Sequence, residues 1–463
     1  MKRTLKNKEY DVEITGLTTQ GYGVGRADGV AVFVPGAAVG DTARIKIVSE
    51  KKQYCYGKLL EVLRPSPDRI PADCPYFARC GGCSLRHIRY EAELELKQRQ
   101  VTDALQRIGG LSVPVRPILP SPLQERYRHK AQLPCARKPD GSVGFGFYAP
   151  RSHRVVFFED CLLQPENFSS IMHDVADFLT RYRIPPYDEA TGEGLVRHLY
   201  LRRSKKTGDV MVCLVLNGAR LPKEAELCST LTARHPEIVS VLINVNTRRG
   251  NVILGSRCRV LYGQNSLTDS LLGVDFQISP LAFFQVNPAG AERLYEAAAQ
   301  AAQPDGKHIL DLYCGTGSIG LTMAGRAKQL TGVEVIPEAV DNAAENARRA
   351  GIQNARFLCA DAGQAARQLS EEGLRPDVVI VDPPRAGCSA AALSAIRDMS
   401  PERVVMVSCN PATMARDIQS LAAYGFVPQY VQPVDMFPRT THVEAACLLT
   451  RTEAPDGQPD TMR

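Results

Sequence analysis

The chain has 463 residues, with 56 Lys and Arg against 50 Asp and Glu and a hydrophobic fraction of 44%. That balance excludes wholesale disorder, and no apolar run approaches the roughly 18 residues that a membrane-spanning helix needs. The start, MKRTLKNKEYDVEITG, lacks the apolar stretch of a secretory signal, so the expected setting is cytoplasmic, without a membrane partner. Fourteen cysteines are too few for a disulfide scaffold and are expected to stay reduced, so a cluster of them points to metal binding or catalysis.

Charge is concentrated at the front. Residues 1–130 hold 22 Lys and Arg against 14 Asp and Glu, a net of +8, which leaves −2 for the rest. Basic side chains gain affinity for a polyanion by displacing phosphate counterions, so the charge suggests a polyanionic partner, with a solvated basic surface as the plain alternative. Residues 1–63 read as five short strands broken by Gly turns: YDVEITGL, GYGVGRADG, VAVFVPGA, DTARIKIVSE and KKQYCYGKLLEVL. The alternation from Arg44 to Val48 is that of a half-buried strand, and the set predicts a small OB-like β-barrel, an architecture that often contacts single-stranded nucleic acid.

Arg64-Pro65-Ser66-Pro67-Asp68 reads as a linker. Residues 64–275 follow as a mixed α+β region. It has a helix near 90–108, expected to pack on the next domain, and strands at GFGFYAP, RVVFF, DVMVCLVL and IVSVLINVN. In 276–452, apolar strands alternate with helices, which predicts a doubly wound, Rossmann-like α/β domain. The polar tail 453–463 is expected to be disordered.

Ligands of such sheets bind at the carboxyl ends of the strands, where this segment carries its polar residues. DLYCGTG follows a strand and opens a helix, with Gly315 and Gly317 allowing a tight turn and close backbone approach. Glu334 ends the next strand, placed for ribose hydroxyls, and Asp361 ends the third, within reach of an adenine amino group. No third dinucleotide glycine and no phosphate-cradling Gly-Lys-Ser/Thr follow. A nucleoside without phosphates fits, and S-adenosylmethionine is the common one.

Two further strand ends carry chemistry. VVIVDPPRAGC projects Asp382 ahead of a rigid Pro pair, and VVMVSCNPAT sets Cys409 before a new helix, where N–H dipoles can favour a thiolate. Glu444, in THVEAACLL, is the candidate base. DLYCGTG, DPPRAG, SCNPAT and HVEAA, in this order, resemble the motifs of the RNA uracil-5-methyltransferases, and the likeness extends over nearly the whole chain. The front barrel resembles their TRAM domain. The resemblance implies Cys409 as nucleophile and Glu444 as base, with Gln285 (in FFQVN), Tyr313, Glu334, Asp361 and Asp382 at cofactor- or substrate-binding positions. Asp382 is also a candidate for the uracil edge. Phe283 is a candidate stacking surface for a flipped base, with core packing as the plain alternative.

Cys74, Cys80 and Cys83 form a C-x5-C-x2-C run, and Cys161 follows 78 residues later. Three close thiols and a distant fourth can ligate one cluster or metal. Four-thiolate zinc normally uses two paired knuckles, which this spacing lacks. The spacing resembles the 4Fe–4S motif of the same family and differs from the C-x3-C-x2-C of radical enzymes. Methylation needs no redox chemistry, so the cluster is assigned a structural or RNA-contacting role. His87, His129 and the run from Arg126 to Lys130 suit an RNA groove, with a solvated strand as the plain alternative.

The resulting expectation is methylation of uracil C5 in 23S ribosomal RNA, because transfer-RNA enzymes of this kind often lack the barrel and the cluster. A transfer-RNA methylase is the runner-up. The reading from another class is an RNA-binding Fe–S protein with an inactive transferase domain, which the presence of both Cys409 and Glu444 opposes. No protein partner is indicated.

Overall fold

The computed structural model describes residues 5–451, so the tail 453–463 lies outside the described residues. The front barrel has six strands rather than five: Glu9–Glu13, Gly16–Leu17, Tyr22–Ala27, Val30–Pro35, Thr42–Glu50 and Tyr54–Arg64. Their order in the sheet is first, fifth, sixth, fourth, third, second. Within Thr42–Glu50, Ile45 and Ile47 point into a core with Val12, Val32 and Val34, while Arg44 and Lys46 lie outward. The sheet curls onto itself where Gly25 meets the first strand: a Cβ there would lie 2.8 Å from the Glu13 carbonyl oxygen.

The stretch read as a linker is pinned to the barrel. The fully buried Asp41 accepts from the Ser66 amide at 2.9 Å and pairs with Arg69 at 2.6 Å.

The central region is built on a seven-stranded sheet, from Arg257–Gly263 at one edge through Ile238–Val245, Val210–Leu216, Val196–Arg203, Lys130–Arg137 and Val143–Tyr148 to Val155–Phe157. All pairings are antiparallel except that of Val210–Leu216 with Ile238–Val245, which the helix Glu224–Arg234 connects. The helix Tyr90–Arg107 leaves this region and buries Val101, Ala104 and Leu105 in the core of the last domain. The hairpin Leu267–Leu271 and Val274–Ile278 does the same with Leu271, Phe276 and Ile278, so a boundary at 275/276 divides that hairpin.

The last domain is a seven-stranded sheet in the order Ala355–Cys359, Gln329–Glu334, His308–Leu312, Val378–Val381, Arg403–Ser408, Glu444–Arg451, Phe426–Val434. The first five strands are parallel and the last two form an antiparallel hairpin. Chain order reverses between His308–Leu312 and Val378–Val381, and that switch opens a crevice at their carboxyl ends.

Candidate active site

One side of the crevice is made by the loop after His308–Leu312. Tyr313, Gly315 and Gly317 all have positive φ, of 63°, 56° and 78°. Gly317 packs tightly, since a Cβ would lie 3.0 Å from Leu321 and 3.2 Å from Phe357, whereas a Cβ on Gly315 would meet open space. The loop is therefore closed below and accessible above. Glu334 accepts from the Gly315 amide at 3.1 Å through one oxygen and from the Val335 and Ile336 amides through the other. Asp361 caps the helix Ala362–Glu371 through Oδ1, and the Tyr313 hydroxyl accepts from the Ser389 amide at 3.3 Å. Gln285 reaches the hydroxyl of the buried Tyr295, which also bonds Ser318 at 2.9 Å.

The other side carries the candidate reactive groups. Asp382 leaves the strand Val378–Val381, and the following turn is locked to the helix Pro411–Ala423: the Arg385 carbonyl accepts from Asn410 at 3.0 Å and from Thr413 at 3.4 Å. Gly387 has a φ of 84°, a conformation that strains any residue with a side chain, and a Cβ there would also crowd Asp417 at 2.6 Å, so the turn favours glycine. Cys409 follows the strand Arg403–Ser408, and Glu444 opens the antiparallel strand beside it. Ser408 pairs with Ala445, so the ladder sets Cys409 and Glu444 next to each other at the sheet edge.

Burial governs the charges here. The Glu444 carboxyl is pushed well above the ordinary range by burial and then by Asp382, against a smaller opposing pull from Arg385. The Cys409 thiol is raised by burial and by the charges of Glu444 and Asp382, with Arg385 again opposing. Burial lifts Asp382 to about 7. Asp311 is lifted to about 8 by burial and by Asp382; its Oδ2 accepts from the Gly320 amide, while its buried Oδ1 has no partner. Neither Arg385 nor Asp311 was assigned a role from sequence, although both stand inside quoted motifs, DPPRAG and DLYCGTG.

The four cysteines of the second motif come together in one corner of the central region. Cys83 senses Cys80 and Cys74, and Cys161 senses Cys83 and Cys80. Burial pushes Cys83 up to about 11 and Cys161 to about 12. Among the described residues, no three His, Cys, Asp or Glu side chains are gathered closely enough to hold a metal ion.

The run from Arg126 to Lys130 is not an open RNA strand. Tyr127 is fully buried and donates to the Pro438 carbonyl at 2.9 Å, and Arg126 pairs with Asp160 at 2.7 Å while donating to the Cys161 carbonyl. His87 and His129 are held down to about 4 by burial, which suits neutral packing rather than phosphate contact. Phe283 is 65% exposed, so core packing falls to its neighbour Phe284, which is buried against Phe276.

A surface that sequence reasoning missed lies between the barrel and the cysteine loop. This groove, of about 1270 Å³, is lined by Tyr22, Tyr56 and Lys58 of the barrel, by Arg69, by Cys80 and Cys83, and by Arg151. The Arg151 guanidinium stands 5.2 Å from both tyrosine rings, which meet edge to face at 6.4 Å. The aromatic residues were visible in the strands, but only the sheet register brings Tyr22 and Tyr56 together.

Known proteins are similar to this chain over nearly its whole length. The family model described as tRNA (uracil-5-)-methyltransferase matches residues 272–452, and the TRAM domain model matches residues 3–60. The chain is 42% identical to an uncharacterized RNA methyltransferase of Halalkalibacterium halodurans, over 96% of this chain and 97% of that one. It is 40% identical to one of Clostridium tetani over the same shares. Among solved structures, a Pyrococcus abyssi tRNA (uracil-54, C5)-methyltransferase in complex with S-adenosyl-L-homocysteine superposes with a TM-score of 0.78 at 27% identity, covering 96% of this chain and all of that one. The two family-model matches and the full-length relatives at about 40% identity together show that this chain belongs to the RNA uracil-5-methyltransferase family.

Proposed function

We propose that the protein methylates C5 of a uracil in 23S ribosomal RNA, forming 5-methyluridine through a covalent bond between the Cys409 sulfur and C6. The observation that carries this is the strand register that sets Cys409 beside Glu444 at the mouth of the crevice. S-adenosylmethionine, when bound, supplies an electrophilic methyl group. The residues fit it: open space above Gly315, acids at successive strand ends, and the unpartnered buried Asp311 oxygen. Glu334 would hold the ribose, Asp361 the adenine edge, and Gln285 and Tyr313 the crevice walls.

Uracil C5 is a poor nucleophile on its own. Attack of the Cys409 thiolate on C6 moves the ring electrons into an enolate, whose C5 then accepts the methyl group. Glu444 next takes the C5 proton, the freed pair restores the C5–C6 double bond, and the C6–sulfur bond breaks to return the thiolate. The electrostatics support this order. Attack carries the thiolate's charge onto the ring as the enolate, and methyl uptake neutralises it, so the negative charge that Cys409 and Glu444 would otherwise share is gone before the base is needed. The target base must leave its stack to enter, and the exposed Phe283 is suited to stack against it or a neighbour.

We assign Cys74, Cys80, Cys83 and Cys161 to a 4Fe–4S cluster with a structural role. What supports this reading is that the four thiols lie within electrostatic reach of one another in one corner, and that their spacing lacks the paired knuckles of four-thiolate zinc. The groove between this loop and the barrel is the proposed path for single-stranded RNA, stacking on Tyr22 and Tyr56 and neutralised by Lys58 and Arg151. The proposed setting is the cytoplasm.

A transfer-RNA substrate is the second reading, favoured by the superposition of the whole Pyrococcus enzyme. Mapping 5-methyluridine in 23S and transfer RNA from a strain lacking this protein separates the two. Loss confined to 23S RNA is expected, and loss confined to transfer RNA would move the assignment. Iron and sulfide analysis of anaerobically purified protein tests the cluster: about four of each per chain is expected, and one zinc without iron would overturn it.

A further inference from the structure

Glu444 enters its strand from the turn that follows Val434, its own register partner across the terminal hairpin. That turn, residues 435–443, is held by side chains that do no chemistry. Lys97, in the helix Tyr90–Arg107, donates to Asp435 and to Glu93 at 2.7 Å each and to the Phe437 carbonyl at 3.1 Å, with all three charged side chains fully buried. The Tyr90 hydroxyl adds a bond to the other Asp435 oxygen at 2.7 Å. Asp435 Oδ1 in turn accepts from the Phe437 amide at 3.1 Å.

Arg439 sits at the middle of the turn with φ 68°, a left-handed conformation that costs a side-chain-bearing residue energy and persists only where its surroundings enforce it. Here they do. Its amide donates to Glu93 at 2.8 Å, and its carbonyl accepts from the Ser84 amide at 2.8 Å and the Leu85 amide at 3.1 Å, the two residues directly after Cys83. The barrel completes the hold, since the Thr441 hydroxyl donates to the Thr19 carbonyl at 2.7 Å.

Burying one lysine between two carboxylates is expensive in desolvation and poorly explained by stability alone, because apolar residues of similar size usually serve as well. What such a network does supply is a single geometry. Resting on the reading of Glu444 as the base, we infer that Glu93, Lys97, Asp435 and Arg439 form a clasp that positions Glu444, and that it transmits the placement of the cysteine loop and barrel to the catalytic edge.

The clasp acts on one step. Thiolate attack and methyl uptake by C5 use Cys409, on a different strand, whereas transfer of the C5 proton to the Glu444 carboxylate, with return of the C6–sulfur electrons to Cys409, requires Glu444 in place. Loosening the clasp should therefore trap the methylated covalent adduct. The test uses full-length protein and RNA containing ordinary uridine at the target. It compares Lys97→Met, the neutral triple variant Glu93→Gln, Lys97→Met and Asp435→Asn, and Glu444→Gln as the reference. The triple variant removes the two carboxylates that Lys97→Met would leave facing each other, and the remaining cation, Arg439, keeps its bond to Gln124 at 3.0 Å, so it decides the matter if Lys97→Met fails to fold.

Methyl incorporation in a single turnover is read beside the fraction of protein linked to RNA in denaturing electrophoresis. The expected result is methyl transfer within threefold of wild type, product release slowed at least tenfold, and a methyl-labelled adduct. Normal turnover, or equal loss of both steps without adduct, while Glu444→Gln does trap adduct, would overturn the clasp alone. Absence of adduct with a Glu444→Gln protein that still methylates would overturn the base assignment and the clasp with it.

Discussion

The crevice above the transferase sheet and the groove beside the barrel are both polar, but they are built on opposite physical terms. In the crevice Glu444 is buried and Cys409, Asp382 and Asp311 are drawn out of water, so each ionisation opposes the next. In the groove, Tyr22 and Tyr56 are half-buried, and Arg151 lies across both rings. Desolvation makes a group's charge state depend on its neighbours, which a stepwise reaction can use. Solvated charges contribute small and nearly additive increments, which suits grip on a polyanion. A single substitution should therefore be severe in the first region and mild in the second.

The largest effect expected is that of Cys409→Ala. Loss of the attacking sulfur should lower methyl transfer by a factor of about 10³ or more, while cofactor affinity measured by calorimetry is retained. Activity near wild type would remove Cys409 from the mechanism. Next comes the cofactor side of the same crevice. Replacing Glu334 by Gln takes away charge-assisted acceptors, each worth about 1.5–3 kcal/mol, so cofactor KM should rise by roughly ten- to a hundredfold with a smaller change in kcat. Equal KM values would show that Glu334 serves only its own loop amides.

The buried acids also predict pH behaviour. In the proposed reaction Cys409 and Glu444 must both lose protons, and both are held above their ordinary values, so turnover should rise with pH. Arg385 pulls both down, and Arg385→Gln should move the rising limb to higher pH. A profile that does not move would mean that the guanidinium is screened by solvent. Stability runs the other way. Asp311 and Asp382 keep protons in the folded state up to about 8 and about 7, above the ordinary carboxylate value near which an unfolded chain releases them. The folded protein thus binds more protons between those values, and stability declines as pH rises through that window. Asp311→Asn should flatten the fall in Tm between pH 5 and 8, and an unchanged slope would place the orphaned oxygen in contact with water.

How legible this was depended on whether the signal was local. Ile45 and Ile47 announced their strand by alternation, and the motifs at the ends of strands announced the crevice, because a strand, a turn and a helix start are contiguous in sequence. The two-residue strand Gly16–Leu17 is too short to show a period. In Val196–Arg203, the polar letters Arg197, His198 and Arg202 hid a strand that is buried nearly end to end. The run from Arg126 to Lys130 was misread because what neutralises Arg126, Asp160, arrives 34 residues later. The clasp was invisible for the same reason: Lys97 and Asp435 are 338 residues apart, and nothing near either one predicts the other.

The smallest effects belong to the groove, and point substitutions probe it better than removal of the barrel. Deleting residues 1–63 would take away Asp41, which pins Ser66 and Arg69, and Thr19, which holds the turn before Glu444. A truncated protein would therefore mix lost grip with a disturbed base. Arg151→Ala together with Lys58→Ala leaves those contacts in place. If each cation meets one phosphate of a single strand, the slope of log affinity against log salt should become shallower by about 1.4, roughly 0.7 for each contact. Tyr56→Ala should instead weaken binding by about 1–3 kcal/mol at every salt concentration, since stacking is not ionic. Titrations of target RNA from low to moderate salt separate the two signatures. Identical affinities and slopes in all three proteins would mean that RNA passes elsewhere, and that the Tyr22, Tyr56 and Arg151 stack serves only to join the barrel to the central region.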